Sequence, residues 1–171
     1  METSGAMVRR ERMLLCMAAL LVLLGGVVMA GWFLHLPELT RIVPHLRGMV
    51  FNTALCFVLL GIALYPRPAP AIGARRLSLL LGLLVLTLAG LNLLQLRLGL
   101  ELGLDWPALH AWADDGNPHP GRMALPPTLG FLLASASLLL ALLEKLRGAW
   151  RAPLGHLLAA AVLMLGAVSV L

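Results

Sequence analysis

The chain has 171 residues, of which 60% are hydrophobic and only 12% charged, and its formal net charge is +5. A soluble domain carries about a quarter charged residues on a surface it must keep wet, so a water-facing fold is excluded and lipid is the natural solvent, in keeping with a mean hydropathy of +0.93. The basic excess does not indicate nucleic acid as a partner. Arg and Lys stand in small groups at the ends of apolar runs, where headgroups account for them, and no basic face interleaves with aromatics.

In chain order, the pattern predicts an all-α polytopic transmembrane bundle of about five helices. Residues 1–12 form a tail bearing Arg9, Arg10 and Arg12, and residues 13–171 form the bundle. The spans are expected over residues 13–36, 49–65, 77–96, 123–143 and 152–171. Each approaches the roughly 20 residues that a helix needs to cross hydrocarbon, and none has Asp, Glu, Lys or Arg in its interior. Unbroken Leu-rich runs exclude a barrel, whose strands would show about ten residues of alternating polarity. The first run is too long for a signal-peptide core and reads as an uncleaved helix. Cys16 and Cys56 lie inside apolar runs and read as small packing residues.

Helix ends have local signals. Asn52 or Thr53 can cap the second span, and Pro66, Pro68 and Pro70 stop it. Pro126 and Pro127 fit the first turn of the fourth span, and Pro153 that of the fifth, where a missing N–H costs nothing. Nine of the thirteen basic residues fall in the tail, the second-to-third loop (Arg67, Arg75, Arg76) and the fourth-to-fifth loop (Lys145, Arg147, Arg151). Arg41, Arg47, Arg97 and Arg122 fall opposite, which puts the N-terminus in the cytoplasm. The outer loops are then residues 37–48 and 97–122. Within the second, DWPALHAWADDG predicts a short helix on the membrane surface, capped by Asp105 and ended by Gly116, with Trp106 and Trp112 at headgroup depth. Trp32 and Trp150 fit the aromatic belts, and the paired acids Asp114 and Asp115 read as a solvated turn.

The spans also look like repeated helical hairpins. RGMVFNTALCFVLLGIAL from Arg47 aligns without a gap to GRMALPPTLGFLLASASL from Gly121, matching Met49 to Met123, Leu55 to Leu129 and Phe57 to Phe131. Each segment follows an outer loop and opens a returning helix.

Together, GMVFNTALCFVLLGIAL, the loop GLELGLDWPAL and HPGRMALPPTLGFLL resemble a multi-helix membrane input region found N-terminal to bacterial sensor histidine kinases and diguanylate cyclases. The likeness covers roughly residues 31–137. That family's form is Met-x-x-Asn-Thr-Ala-Leu heading one helix, a Gly-x-Asp-Leu-Gly-Ile-Asp loop and Pro-Gly-Arg-Met heading a later helix. Here Pro126 and Pro127 replace Asn-Thr of the second copy. The family continues into a sixth helix and a cytoplasmic signalling domain. No phosphoacceptor segment, GGDEF motif or PAS-like region follows here, so a signal would pass to a partner, or the chain is an excised input region. The resemblance implies a multi-pass protein of the bacterial inner membrane, with Arg122 and Met123 at the loop-to-helix junction. Arg122 has two candidate partners, a lipid phosphate or Asp105.

Polar side chains gather at one depth. Asn52, Thr53, Thr128 and His35 lie at outer helix ends, and Asn92 and Gln95, three residues apart, share a helix face. Buried amides in lipid need partners. Interhelical glue is one reading, and a pocket for a small apolar or quinone-like ligand is the other. His35, His45, His110 and His119 also fall outside, but their spacing matches no metal or haem motif, and solvated or headgroup-facing histidines are the better reading; His156 snorkels at the inner interface. Neither a cofactor nor a catalytic constellation is expected: no Ser–His–Asp set, phosphate-cradling loop or HExxH occurs. The leading expectation is therefore a sensory, ligand-binding input module that works with lipid, a signalling protein or a second copy of itself. The alternatives are a structural or assembly subunit without a ligand and a small transporter or channel subunit.

Overall fold

The computed structural model describes residues 2–41, 48–65, 72–113 and 119–142. The regular structure among them is entirely helical: α1 (Glu2–Leu34), α2 (Pro37–Thr40), α3 (Phe51–Leu64), α4 (Ile72–Leu98), α5 (Pro107–His110) and α6 (Leu125–Leu142). Among the described residues, three segments, Glu11–Leu34, Gly73–Leu98 and Leu125–Leu142, are long and apolar enough to cross a membrane. The chain is accordingly a helical membrane protein. The expected fifth span, with Pro153 and His156, lies outside the described residues, as do His45, Asp114, Asp115 and Trp150.

Two helices differ in length from their apolar runs. The first extends back to Glu2, so Arg9 and Arg12 ride on helical turns rather than on a separate tail. The second span shrinks to the 14 residues of α3, about 21 Å at 1.5 Å per residue, short of the ~30 Å of hydrocarbon. Val50 is extended at its start (φ −68°, ψ 153°). At its end Tyr65 precedes Pro66, whose ring disfavours a helical residue before it. Neither Asn52 nor Thr53 caps α3. The N-cap is Val50 without a side-chain cap bond, and both polar residues lie buried in the first turn.

Consecutive long helices pack antiparallel, α1 on α3, α3 on α4 and α4 on α6, with a lighter contact between α3 and α6. Without a hydrophobic drive between helices in lipid, close approach falls to small residues and interhelical hydrogen bonds. The α1–α3 seam uses the former: Gly25 lies on the Ala54 carbonyl and Val58, and Gly61 on the Ala18 carbonyl and Val22. One core cluster joins Cys56, Leu60, Val85, Ala89, Met123 and Phe131 across α3, α4 and α6. A second joins Val28, Trp32, Phe51 and Ala54 between α1 and α3. Leu20, Leu23, Leu80, Leu83 and Leu94 are exposed, the pattern a lipid-facing surface requires. At one end of the bundle Arg75 donates to the Leu142 carbonyl from Nη2 (2.8 Å), placing a cation at the last described turn of α6.

The helices that open with the aligned methionines share an entry geometry. The Met49 carbonyl accepts the Trp32 indole N–H from α1 at 2.8 Å. The Met123 carbonyl accepts the Asn92 amide from α4 at 2.9 Å. Phe57 of α3 and Phe131 of α6 meet edge to face, 5.0 Å between centroids.

Candidate functional site

At the end of the bundle opposite Arg75, residues 99–113 and 119–123 of the connection between α4 and α6 fold onto α1, α3 and α4. The two ends of this segment are tied together by a largely buried ion pair. Asp105 accepts Arg122 Nε on Oδ2 at 3.0 Å and Gln95 Nε2 on Oδ1 at 2.9 Å. The side chains of Arg122 and Asp105 are only 9% and 14% exposed, so each charge depends on the other for solvation. Arg122 Nη2 also reaches the Leu100 carbonyl at 3.3 Å. Gly121 makes this possible. Its φ is +84°, and a Cβ there would overlap the Asp105 carbonyl oxygen.

Three amides tie the segment to the helices. Asn52 on α3 donates to the Leu104 carbonyl at 2.7 Å. Asn92 on α4 donates to the Met123 carbonyl and to Thr128 Oγ1 on α6, the latter at 2.7 Å, while the Thr128 hydroxyl donates to the Ala124 carbonyl. Gln95 on α4 holds Asp105. Asn92, Gln95 and Thr128 are almost wholly buried, and Gln95 Oε1 is buried with no partner.

Residues 106–113 close on α1 and α3 through rings. His110, 3% exposed, ends the single turn of α5. Its Nε2 accepts the Phe51 backbone N–H at the start of α3 (3.2 Å), and its Nδ1 lies 3.0 Å from the Trp106 carbonyl. A backbone N–H can only donate, so Nε2 is the bare nitrogen and Nδ1 carries the proton toward Trp106. The imidazole sits 4.1 Å from the Trp32 ring, which is 5.3 Å from Trp112. Trp112 Nε1 is buried without a partner.

No known protein family, curated protein or solved structure matches the chain.

The residues singled out from the sequence separate into groups. Asn52, Asn92, Gln95 and Thr128 lie at one level, bonded to the loop segment or to each other, and Thr53 is buried beside Asn52. Of the two partners considered for Arg122, Asp105 is the one it meets, and Met123 is buried beneath it. His35 stands apart. It is exposed just past α1 at φ +55°, and its ring meets the edge of Trp112 at 5.1 Å.

Three expectations are corrected. Asp105 does not cap α5, because its carboxylate is taken up by Arg122 and Gln95; the N-cap position is Trp106, at a left-handed φ of +47°. Trp32 is not a belt residue but is buried in protein, its N–H held by Met49. His110 is neither solvated nor at the headgroups, since the Trp32 face and the α3 N-terminus enclose it. The one sequence signal for His110 was its spacing four residues after Trp106 on a Pro-initiated turn; its decisive partners come from other helices.

Chemically, the site holds and positions. Both Asp105 oxygens accept hydrogen bonds, one from the Arg122 guanidinium and one from the Gln95 amide, so the carboxylate serves as the tie between them. Among the described residues, no three His, Cys, Asp or Glu side chains gather as metal ligands. What remains open is one buried acceptor, Gln95 Oε1, and one buried donor, Trp112 Nε1.

Proposed function

We propose that this chain is a membrane-embedded sensory input module of the bacterial inner membrane, with residues 99–113 and 119–123 as its receiving element. The observation that carries this reading is that one loop segment touches α1, α3 and α4 and leads directly into α6. It bonds α3 through Asn52 and His110 and α4 through Asn92 and Gln95, meets α1 at the Trp32 ring, and runs directly into α6. A signal that shifts this segment shifts the balance between helix arrangements, provided it binds one arrangement better than another. The resemblance to input regions of sensor kinases and cyclases supports the reading, as does an unpaired Gln95 oxygen in a buried polar layer. In this scheme five spans form successive hairpins, the N-terminal arginines face the cytoplasm, the loop end faces outward, and the output lies in a partner protein or a further domain.

The layer suits a small apolar molecule with a hydrogen-bonding head, such as a quinone or lipid-like compound. The test is thermal stabilisation of the purified protein against a panel of such compounds. At least one is expected to raise the melting temperature of the wild type and to lose that effect in Asn52→Ala and Asn92→Ala. A panel with no hit that depends on those residues would remove the ligand pocket. A structural subunit without a ligand is the second reading, favoured by the engagement of Asn52, Asn92 and Gln95 as donors within the chain. Crosslinking that recovers one constant partner, unaffected by the two substitutions, would favour it.

A further inference from the structure

We propose that His110 is a proton-responsive latch, so that the signal this segment receives includes the proton concentration at the loop end. The proposal rests on the reading of the segment as an input element. The closed arrangement accepts only one form of the ring. Nε2 must be bare to accept the Phe51 N–H, and Nδ1 must be protonated to donate to the Trp106 carbonyl. A second proton would sit on Nε2, pointing N–H at N–H. It would also place positive charge at the positive end of the α3 dipole. Proton uptake and the Phe51 bond therefore exclude each other, and acidification releases α5 from α3.

Among the described residues, the surroundings do not offer the imidazolium an easy alternative. On α3 the nearest partner is Phe51 itself, and on α1 it is the Trp32 ring. On the loop the acid beside it is Asp105, whose carbonyl and the His110 Nδ1 both flank Gly121, but both carboxylate oxygens are already bound by Gln95 and Arg122. Of the other ionisable groups on these elements, His35 lies against Trp112, and Glu101 and His119 are exposed. The ring sits where its release is felt, because the Phe51 N–H and the Asn52–Leu104 bond are adjacent residues of one helix start. Losing the first loosens the register that holds the second.

The test uses the full chain in lipid nanodiscs over the histidine range, about pH 5 to 8. The readout is hydrogen exchange of the Phe51 amide, corrected for the intrinsic pH dependence of exchange. His110→Gln keeps an acceptor without a titrating ring, and His110→Phe removes the acceptor. Wild type is expected to lose about fivefold or more in protection on acidification, His110→Gln to hold its protection, and His110→Phe to be low throughout. A wild type that stays flat, or a His110→Gln that loses as much, overturns the latch. Should the variants fail to fold, nitrogen-15 spectra of histidine-labelled wild type decide the matter, with His110 assigned by substituting the other four histidines. A second N–H on His110 accompanied by loss of Phe51 protection supports the proposal. A neutral Nδ1–H ring persisting to about pH 5 overturns it. A ligand hit that survives alongside a flat titration removes only the proton signal; a working titration without a ligand hit removes only the pocket.

Discussion

The α1–α3 and α4–α6 seams are built by opposite means. On the first, backbone meets backbone: Gly25 lies on the Ala54 carbonyl and Gly61 on that of Ala18, and the hydrogen bond near its end is the one from Trp32 to Met49. On the second, Gly82 meets only the flexible ends of Leu138 and Leu139, while Asn92 bonds both the Met123 carbonyl and Thr128. The difference separates rigidity from adjustability. A glycine contact between backbones has no alternative arrangement, whereas an amide in a polar layer can exchange one partner for another. The bundle thus holds a stiff hairpin and a bonded one, joined by the packing of α3 on α4 and by the segment that carries Asp105 and His110.

The comparison is broken most severely at Gly25. Gly25→Val puts side-chain atoms where the Ala54 backbone stands and should cost about 3 kcal/mol or more. Gly26→Val, with no neighbouring atom in reach of an added Cβ, should be nearly silent. Reversible unfolding in mixed detergent measures both, and equal losses would deny the seam its backbone contact. Next in size is Asp105→Asn or Arg122→Gln, each of which strands a partly buried charge and should cost about 2–4 kcal/mol. The double substitution should cost less than the two added together, which a double-mutant cycle reads directly. Asn92→Ala should lose about 1 kcal/mol, since membrane hydrogen bonds average about 0.6 kcal/mol each and two are removed. Smallest is Ser135→Ala, within about 0.5 kcal/mol. Its hydroxyl bonds the Phe131 and Leu132 carbonyls of its own helix and links nothing across the seam.

Helix existence was legible because run length and the absence of interior charge act locally, residue by residue. The shared depth of Asn52, Asn92, Gln95 and Thr128 was legible too, since antiparallel helices bring matching ends to one level. The Arg122–Asp105 pair lay within one loop and could be considered from sequence alone. His110 and Trp32 could not be placed this way. A histidine or tryptophan near a helix end has the same local pattern whether it meets headgroups or a neighbouring ring. The partners that decide, Phe51 N–H and the Met49 carbonyl, belong to a helix start whose position depends on the extended Val50. For the same reason the apolar run overstates α3: hydropathy counts Met49 and Val50, but the backbone turns helical only at Phe51.

The coupling of the two hairpins through one segment is tested most directly by residue-resolved hydrogen exchange on Asn52→Ala in lipid. Asn52 touches the segment at the Leu104 carbonyl, and the segment runs on from there to the start of α6. Exchange is expected to rise along the segment and at the Thr128 turn that opens α6. A change confined to the first turn of α3 would contradict the account.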